Sequence, residues 1–135
     1  MSEPDADIRE LATRLFGLAR SGAVDELAAF LDAGVNVNLT NQNGDTLLML
    51  AAYHGHVETV RALLERGGDP DRANDRGQTP LAGAVFKAES EVIRALIAAG
   101  ADPEAGQPTA LATAAMFERV DLAALLRPGQ EPAES

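Results

Sequence analysis

Two histidines one residue apart, His54 and His56, are the side chains of this sequence best placed to hold a metal ion. His-x-His can bring both rings to one ion only if the backbone unwinds at Gly55, and no third ligand stands at a fixed spacing. The four serines, Ser2, Ser21, Ser90 and Ser135, lie in no setting that would lift a nucleophile onto a sharp turn. Cysteine is absent, which removes thiolate zinc sites, disulfides and a thiol nucleophile. No glycine-rich phosphate loop is present, since Gly67-Gly68 has the look of a helix ending. Carboxylates are plentiful, yet spacing singles out no pair for acid–base work. The expectation is a chain that is not an enzyme and takes no cofactor and no metal.

Composition narrows the alternatives. At 135 residues and 46% hydrophobic content the chain can bury a core, and with 4% aromatics and no Trp that core must be mostly Leu, Val, Ile and Ala. The formal charge of −10 would be repelled by a phosphate backbone, so no nucleic acid is expected as a partner. The opening, MSEPDADIRE, is acidic where a secretory signal is basic and then apolar. The longest apolar run, LLMLAAY (Leu47 to Tyr53), is far short of the ~20 residues a spanning helix needs. A soluble, cytoplasmic protein with no membrane partner is expected. Ten arginines against one lysine, together with abundant alanine, point to a GC-rich, bacterial genome.

The elements that would position any functional side chain are legible because the chain repeats itself. FLDAGVNV (Phe30 to Val37), LLERGGDP (Leu63 to Pro70) and LIAAGADP (Leu96 to Pro103) recur at a spacing of 33 residues. Asn41–Ala73 aligns on Asn74–Gly106 without a gap, matching Gly44 to Gly77, Thr46 to Thr79 and Val60 to Ile93. Asn-x-x-Gly is turn chemistry. Thr46 and Thr79 are placed to cap a helix, and Pro80 suits a first helical position because its missing N–H has no partner there. LLMLAAY then forms a short helix buried on most sides and broken by Gly55, while Val60, Leu63 and Leu64 make the apolar stripe of a second helix. Gly67 and Gly100 end the second helices, and Asp-Pro follows each. A first unit lacks the Asn-x-x-Gly turn. A fourth begins near Thr109 with a turn three residues short and stops at Pro128-Gly129. One unit has too little apolar wall to fold alone, so the units must stack.

These motifs resemble the ankyrin repeat: GDTLLMLAAYHGHVETVRALLERGGDPD and GQTPLAGAVFKAESEVIRALIAAGADPE match most of that family's pattern. The resemblance covers about Leu11 to Leu126 and implies an all-α solenoid of four helix-turn-helix units with short hairpin or turn connections. The expected organisation is an N-terminal tail at 1–7, repeats at about 8–40, 41–73, 74–106 and 107–127, and a C-terminal tail at 128–135. It further implies a small, stand-alone module, monomeric, binding another protein or peptide in a concave groove. His56 falls where the family commonly carries His, which favours a structural role for it. Three departures stand out. The His of the family's Thr-Pro-Leu-His is Met49 in one unit and Ala82 in the next, so the usual polar tie between units is expected to be lost. Gly83 lies inside a predicted helix at a cost of about 1 kcal/mol. Ala88 replaces the Gly between the helices, so the third unit's turn need not match the second's. All three read as drift in a tolerant repeat rather than as a unit softened for binding.

The family's contact positions, carried onto this chain, define a candidate partner-binding set. At the ends of first helices it comprises Arg20, Ser21, Tyr53, His54, Phe86, Lys87, Met116 and Phe117. At the hairpins it comprises Thr40, Gln42, Asn43, Asp45, Asp75, Arg76 and Gln78. Three of the five aromatic residues fall in this set, and they are expected to be anchors because the second helices already supply a complete apolar stripe. Arg20, Arg76 and Lys87 against Asp45 and Asp75 leave the set at +1, so the remainder carries −11 of the total −10. The groove therefore suits a partner with apolar anchors and an acidic residue. The alternative is an acidic decoy that grips a basic, nucleic-acid-handling protein through the outer face.

Overall fold

The computed structural model describes residues 4–127. Among the described residues eight helices form four antiparallel pairs: α1 (Pro4–Ser21) with α2 (Val24–Asp32), α3 (Leu47–Tyr53) with α4 (Val57–Glu65), α5 (Pro80–Phe86) with α6 (Ser90–Ala98), and α7 (Ala110–Met116) with α8 (Val120–Leu126). The first helices pack in one row, α1 on α3 on α5 on α7, and the second helices in a parallel row, α2 on α4 on α6 on α8. The core lies between the rows. Its largest fully buried side chains are all Leu, Ile or Val, as the scarcity of aromatics requires, and Phe16 is the one buried aromatic ring. Helix α1 begins at Pro4, inside the stretch expected to be a tail, while the tail expected at 128–135 lies outside the described residues, as do Ser2, Ser135 and the stop expected at Pro128-Gly129.

The start of each short helix follows from its sequence. The hydroxyls of Thr46, Thr79 and Thr109 accept from the backbone N–H groups of Met49, Ala82 and Ala112 at 3.1, 3.1 and 2.9 Å. Each thereby satisfies a donor that the helix leaves free. Pro80 occupies the first turn of α5. In the hairpins Asn41 accepts from the N–H groups of Asn43 and Asp45, and Asn74 from those of Arg76 and Gln78. The side chain thus stands in for a strand partner and closes the loop on itself. Among the described residues the hairpins carry no extended strand, only one isolated antiparallel bridge between Thr40 and Thr46.

Polar links between units survive the loss of the expected His at Met49 and Ala82, because other groups carry them. Asn74 donates to the Asp45 carboxylate at 2.8 Å, and the Asp75 N–H donates to the Asn43 carbonyl at 3.0 Å. One unit further on, the Gln107 N–H donates to the Gly77 carbonyl at 2.8 Å. His56 reaches back to the first unit, its Nε2 donating to the Arg20 carbonyl at 2.7 Å. A second ladder runs along the loops after the outer helices, where Asn38 accepts from the Asp69 N–H and Asp71 from the Asp102 N–H. The 33-residue period places Asn38 and Asp71 at equivalent sites, although neither stood out in the sequence.

Ala88 does not give the third unit a different turn. It takes the left-handed conformation, φ 58°, that Gly55 takes at 76°. The hydrogen bonds repeat as well: Ala88 and Glu89 donate to Val85 and Ala84 as Gly55 and His56 donate to Ala52 and Ala51. Glu118 does the same in the fourth unit, at φ 54° and with the same pair of bonds, so the turn keeps its shape against the side chain's preference even where the stack ends. A left-handed residue with a Cβ costs about 1–2 kcal/mol, partly offset by the greater chain entropy that Gly loses on folding. Ala88→Gly is therefore expected to stabilise the protein by about 0.5–1 kcal/mol. A urea midpoint that fails to rise would show that the strain is absorbed elsewhere.

Candidate protein-binding groove

The inner helix row and the hairpins enclose three connected depressions. The first, about 440 Å³, lies against α1 and is lined by Arg9, Thr13, Phe16 and Arg20 together with Thr40, Gln42 and Asn43. The second, about 360 Å³, is lined by Arg20, Asn43, Asp45, Tyr53, His54, Asn74, Arg76 and Gln78. The third, about 320 Å³, is predominantly apolar and is bounded by Met49, Tyr53, Ala82, Gly83, Phe86, Thr113, Met116 and Phe117. Met49, Tyr53 and Gln78 line both the second and the third, so polar and apolar compartments share a wall.

Most of the positions expected to contact a partner come together here. Twelve of the fifteen line one of the three compartments. Ser21, Asp75 and Lys87 line none of them. The Ser21 hydroxyl donates to the Leu18 carbonyl at the end of α1. Asp75 sits at an exposed hairpin tip. The Lys87 ammonium stands 5.1 Å from the centre of the Tyr53 ring, close enough for a cation–π contact that orients the ring. Met49, Ala82, Gly83, Asn74 and Thr113 belong to the lining but were not in the expected set. A signal for three of them existed, since Met49, Ala82 and Gly83 are among the residues that depart from the repeat pattern.

The aromatic side chains divide by exposure. Phe86 and Phe117 are 56% and 50% exposed, and Met116 beside them is 65% exposed. The two rings meet edge to face at 5.6 Å, an arrangement that holds both in place without burying them. Tyr53 is half-buried. Phe30 lies away from this groove, partly buried against the core with the Arg14 guanidinium 5.3 Å from its ring centre. Gly83 explains part of the apolar compartment's shape. A Cβ added there would come within 3.1 Å of Met49 Cε and 3.7 Å of Tyr53 Cδ2, so its absence leaves room beneath Tyr53.

Charge follows the same division. Outside the three compartments Arg14, Arg61, Arg66 and Arg119 pair with Glu26, Glu58, Asp32 and Asp121, and Arg127 with Glu104. These pairs lie in water, where screening and the entropy of holding two long side chains together leave them little net effect on stability. The Arg119 guanidinium holds the Asp121 carboxyl down at about 2, and Arg66 likewise lowers that of Asp32. Among the described residues, neither Arg20 nor Arg76 has a carboxylate within ion-pair distance. Asp45, the acidic group between them, already accepts from Asn74.

His54 stands at the rim, edge-on to Tyr53 at 5.4 Å and stacked beside His56 at 6.4 Å between ring centres. Partial desolvation, and then the neighbouring His56, Arg20 and Lys87, hold its pKa below the usual 6.5. The unfolded chain thus takes up this proton before the folded one does. His54's contribution to stability is full above pH 6.5 and is lost as pH falls through the lower, folded value. An NMR titration of the His54 ring is expected to show a midpoint below 6.5, and a midpoint at or above that value would contradict this environment. His56 is occupied by the Arg20 carbonyl, and among the described residues no three His, Cys, Asp or Glu side chains gather into a metal-binding group. Among the same residues no helix is long and apolar enough to cross a membrane.

Comparison with known proteins fits this architecture. A stretch of 52 residues, 38% of the chain, is 49% identical to a Pseudomonas aeruginosa protein named as an ankyrin repeat protein. That stretch spans only 30% of the relative's own length. The family model for ankyrin repeats, in three copies, matches residues 15–107. It ends where the shortened turn before α7 begins, yet α7 and α8 continue the stack as a fourth pair. The chain therefore belongs to the ankyrin-repeat family, whose members are non-enzymatic modules that generally bind other proteins.

Proposed function

We propose that this chain is a monomeric, non-catalytic module that binds a partner protein or peptide segment in the groove along its inner helices and hairpins. Tyr53, Phe86 and Phe117 are the anchors of this interface, and Arg20, His54, Arg76 and Lys87 set the polarity of what binds. The observation that carries the reading is the exposed Phe86–Phe117 pair, which continues into an apolar compartment closed by Tyr53 and Met49. Large rings left half in water, beside a cavity they could have filled, are the anatomy of a binding hot spot. A stack that needed them only as filler would bury them, as it buries Phe16.

The test is affinity capture from a lysate with two baits, the natural chain and a Tyr53→Ala/Phe86→Ala double variant verified as folded by circular dichroism. A partner retained by the first and lost by the second supports the groove. A partner held equally by both refutes it and moves the site to the acidic outer helices. In that case the decoy reading requires binding to weaken steeply with salt, because exposed charges are screened over about 10 Å at 0.1 M.

A further inference from the structure

The groove is two dissimilar compartments side by side, and together they define what a partner must present. The apolar compartment, about 320 Å³, has no charged side chain in its lining. Its floor is open because Gly83 has no side chain, and its rim is the Phe86–Phe117 pair. That volume takes one large apolar side chain, such as leucine, methionine or phenylalanine. The polar compartment, about 360 Å³, carries Arg20 and Arg76, both without an ion-pair partner among the described residues. Its one carboxylate, Asp45, accepts from Asn74. Two cations against one engaged anion leave this compartment positive within a chain of net charge −10. In so acidic a protein, unpaired guanidinium groups facing one groove favour a ligand that brings the missing carboxylate.

We propose that the groove recognises an extended peptide segment carrying one large apolar residue and one Asp or Glu about three residues apart. The apolar side chain enters between Gly83 and the Phe86–Phe117 rim, and the carboxylate lies between Arg20 and Arg76. This rests on the reading of the inner face as the binding face and adds to it the chemistry and spacing of the ligand. The spacing follows from the fold. The compartments belong to neighbouring helices of one row, which pack about 8–10 Å apart, and an extended chain advances about 3.3 Å per residue. Tyr53 is the partition. It lines both compartments, and the Lys87 ammonium over its ring fixes its orientation while adding positive charge to the polar side.

The test uses the full chain, labelled with nitrogen-15, titrated with synthetic Gly/Ser nonapeptides. These contain Leu-x-x-Glu or Glu-x-x-Leu, with Leu→Ala and Glu→Lys versions of each as comparisons. At least one order is expected to shift the amides of both Gly83 and Arg76. Glu→Lys is expected to weaken that peptide at least tenfold, and the protein variant Arg20→Glu/Arg76→Glu to reverse the preference. Gly83→Leu is expected to erase the advantage of Leu over Ala. Should that variant fail to fold, the peptide comparison on the natural chain decides alone. Groove shifts that do not distinguish Glu from Lys overturn this proposal and leave the groove standing as the binding face. Shifts confined to α4 and α6 overturn both. No shift from any peptide at millimolar concentration overturns the peptide specificity, while the capture experiment judges the face independently.

Discussion

Replacing Phe86 by alanine is expected to weaken partner binding by about 1–4 kcal/mol, between roughly fivefold and a thousandfold, with the fold intact. The separation of the two effects follows from its environment. The ring is 56% exposed and meets Phe117 edge to face, so the folded chain loses only about 1–3 kcal/mol with it. A bound partner would cover the face now in water and lose that whole area. Tyr53→Ala should weaken binding over the same range, but with a larger loss of stability, because that ring is half-buried and carries the Lys87 contact. Calorimetric titration with the captured partner, and circular dichroism of the same samples, read the two effects separately. Unchanged binding by a folded Phe86→Ala protein would remove the ring from the interface. Loss of fold in that variant would make it a core residue.

Gly44→Ala is expected to destabilise the chain by about 2–4 kcal/mol, against about 1–2 kcal/mol for Gly67→Ala. Both glycines hold left-handed backbone, at φ 76° and 91°, so an added Cβ strains each. Their surroundings differ. A Cβ at Gly67 meets nothing within 4 Å, whereas at Gly44 it lies 2.5 Å from Asp75 Oδ1 and 2.9 Å from the Asp75 backbone nitrogen. That nitrogen is the donor to the Asn43 carbonyl, a link between the hairpins of the second and third units. The difference between the variants therefore measures the coupling of one hairpin to the next. In a stack whose stability sums unit and interface terms, losing that coupling should also broaden the unfolding transition. Equal destabilisation in urea melts would show that the hairpins do not stabilise one another.

Within a unit, the sequence was nearly sufficient. The Asn-x-x-Gly turns, the threonine caps, the LLMLAAY helix and the stripe begun by Val60 and Leu63 all depend on neighbours three or four residues away. Local propensity and the helical period encode such relations directly. The repeat spacing then carried most of the tertiary plan, because equivalent residues of a stack occupy equivalent places. The same spacing puts Tyr53, His54, Arg76 and Phe86 on one face.

What the sequence by itself determined is the period, the pairing of helices and the face on which the exposed rings stand. The tertiary structure alone decided how neighbouring units meet. Ala88 takes a glycine's conformation and closes the turn with the bonds that Gly55 and His56 make one unit earlier. The link expected from a histidine at position 49 passes instead to Asn74, Asp75 and His56, each bonding a residue about thirty positions earlier in the chain. Met49, Ala82 and Gly83, which looked like drift one at a time, converge on one compartment. A side chain's local preference is written in its neighbours in sequence. The space left between two units depends on volumes and polar groups contributed by both, and exists only once they are packed together.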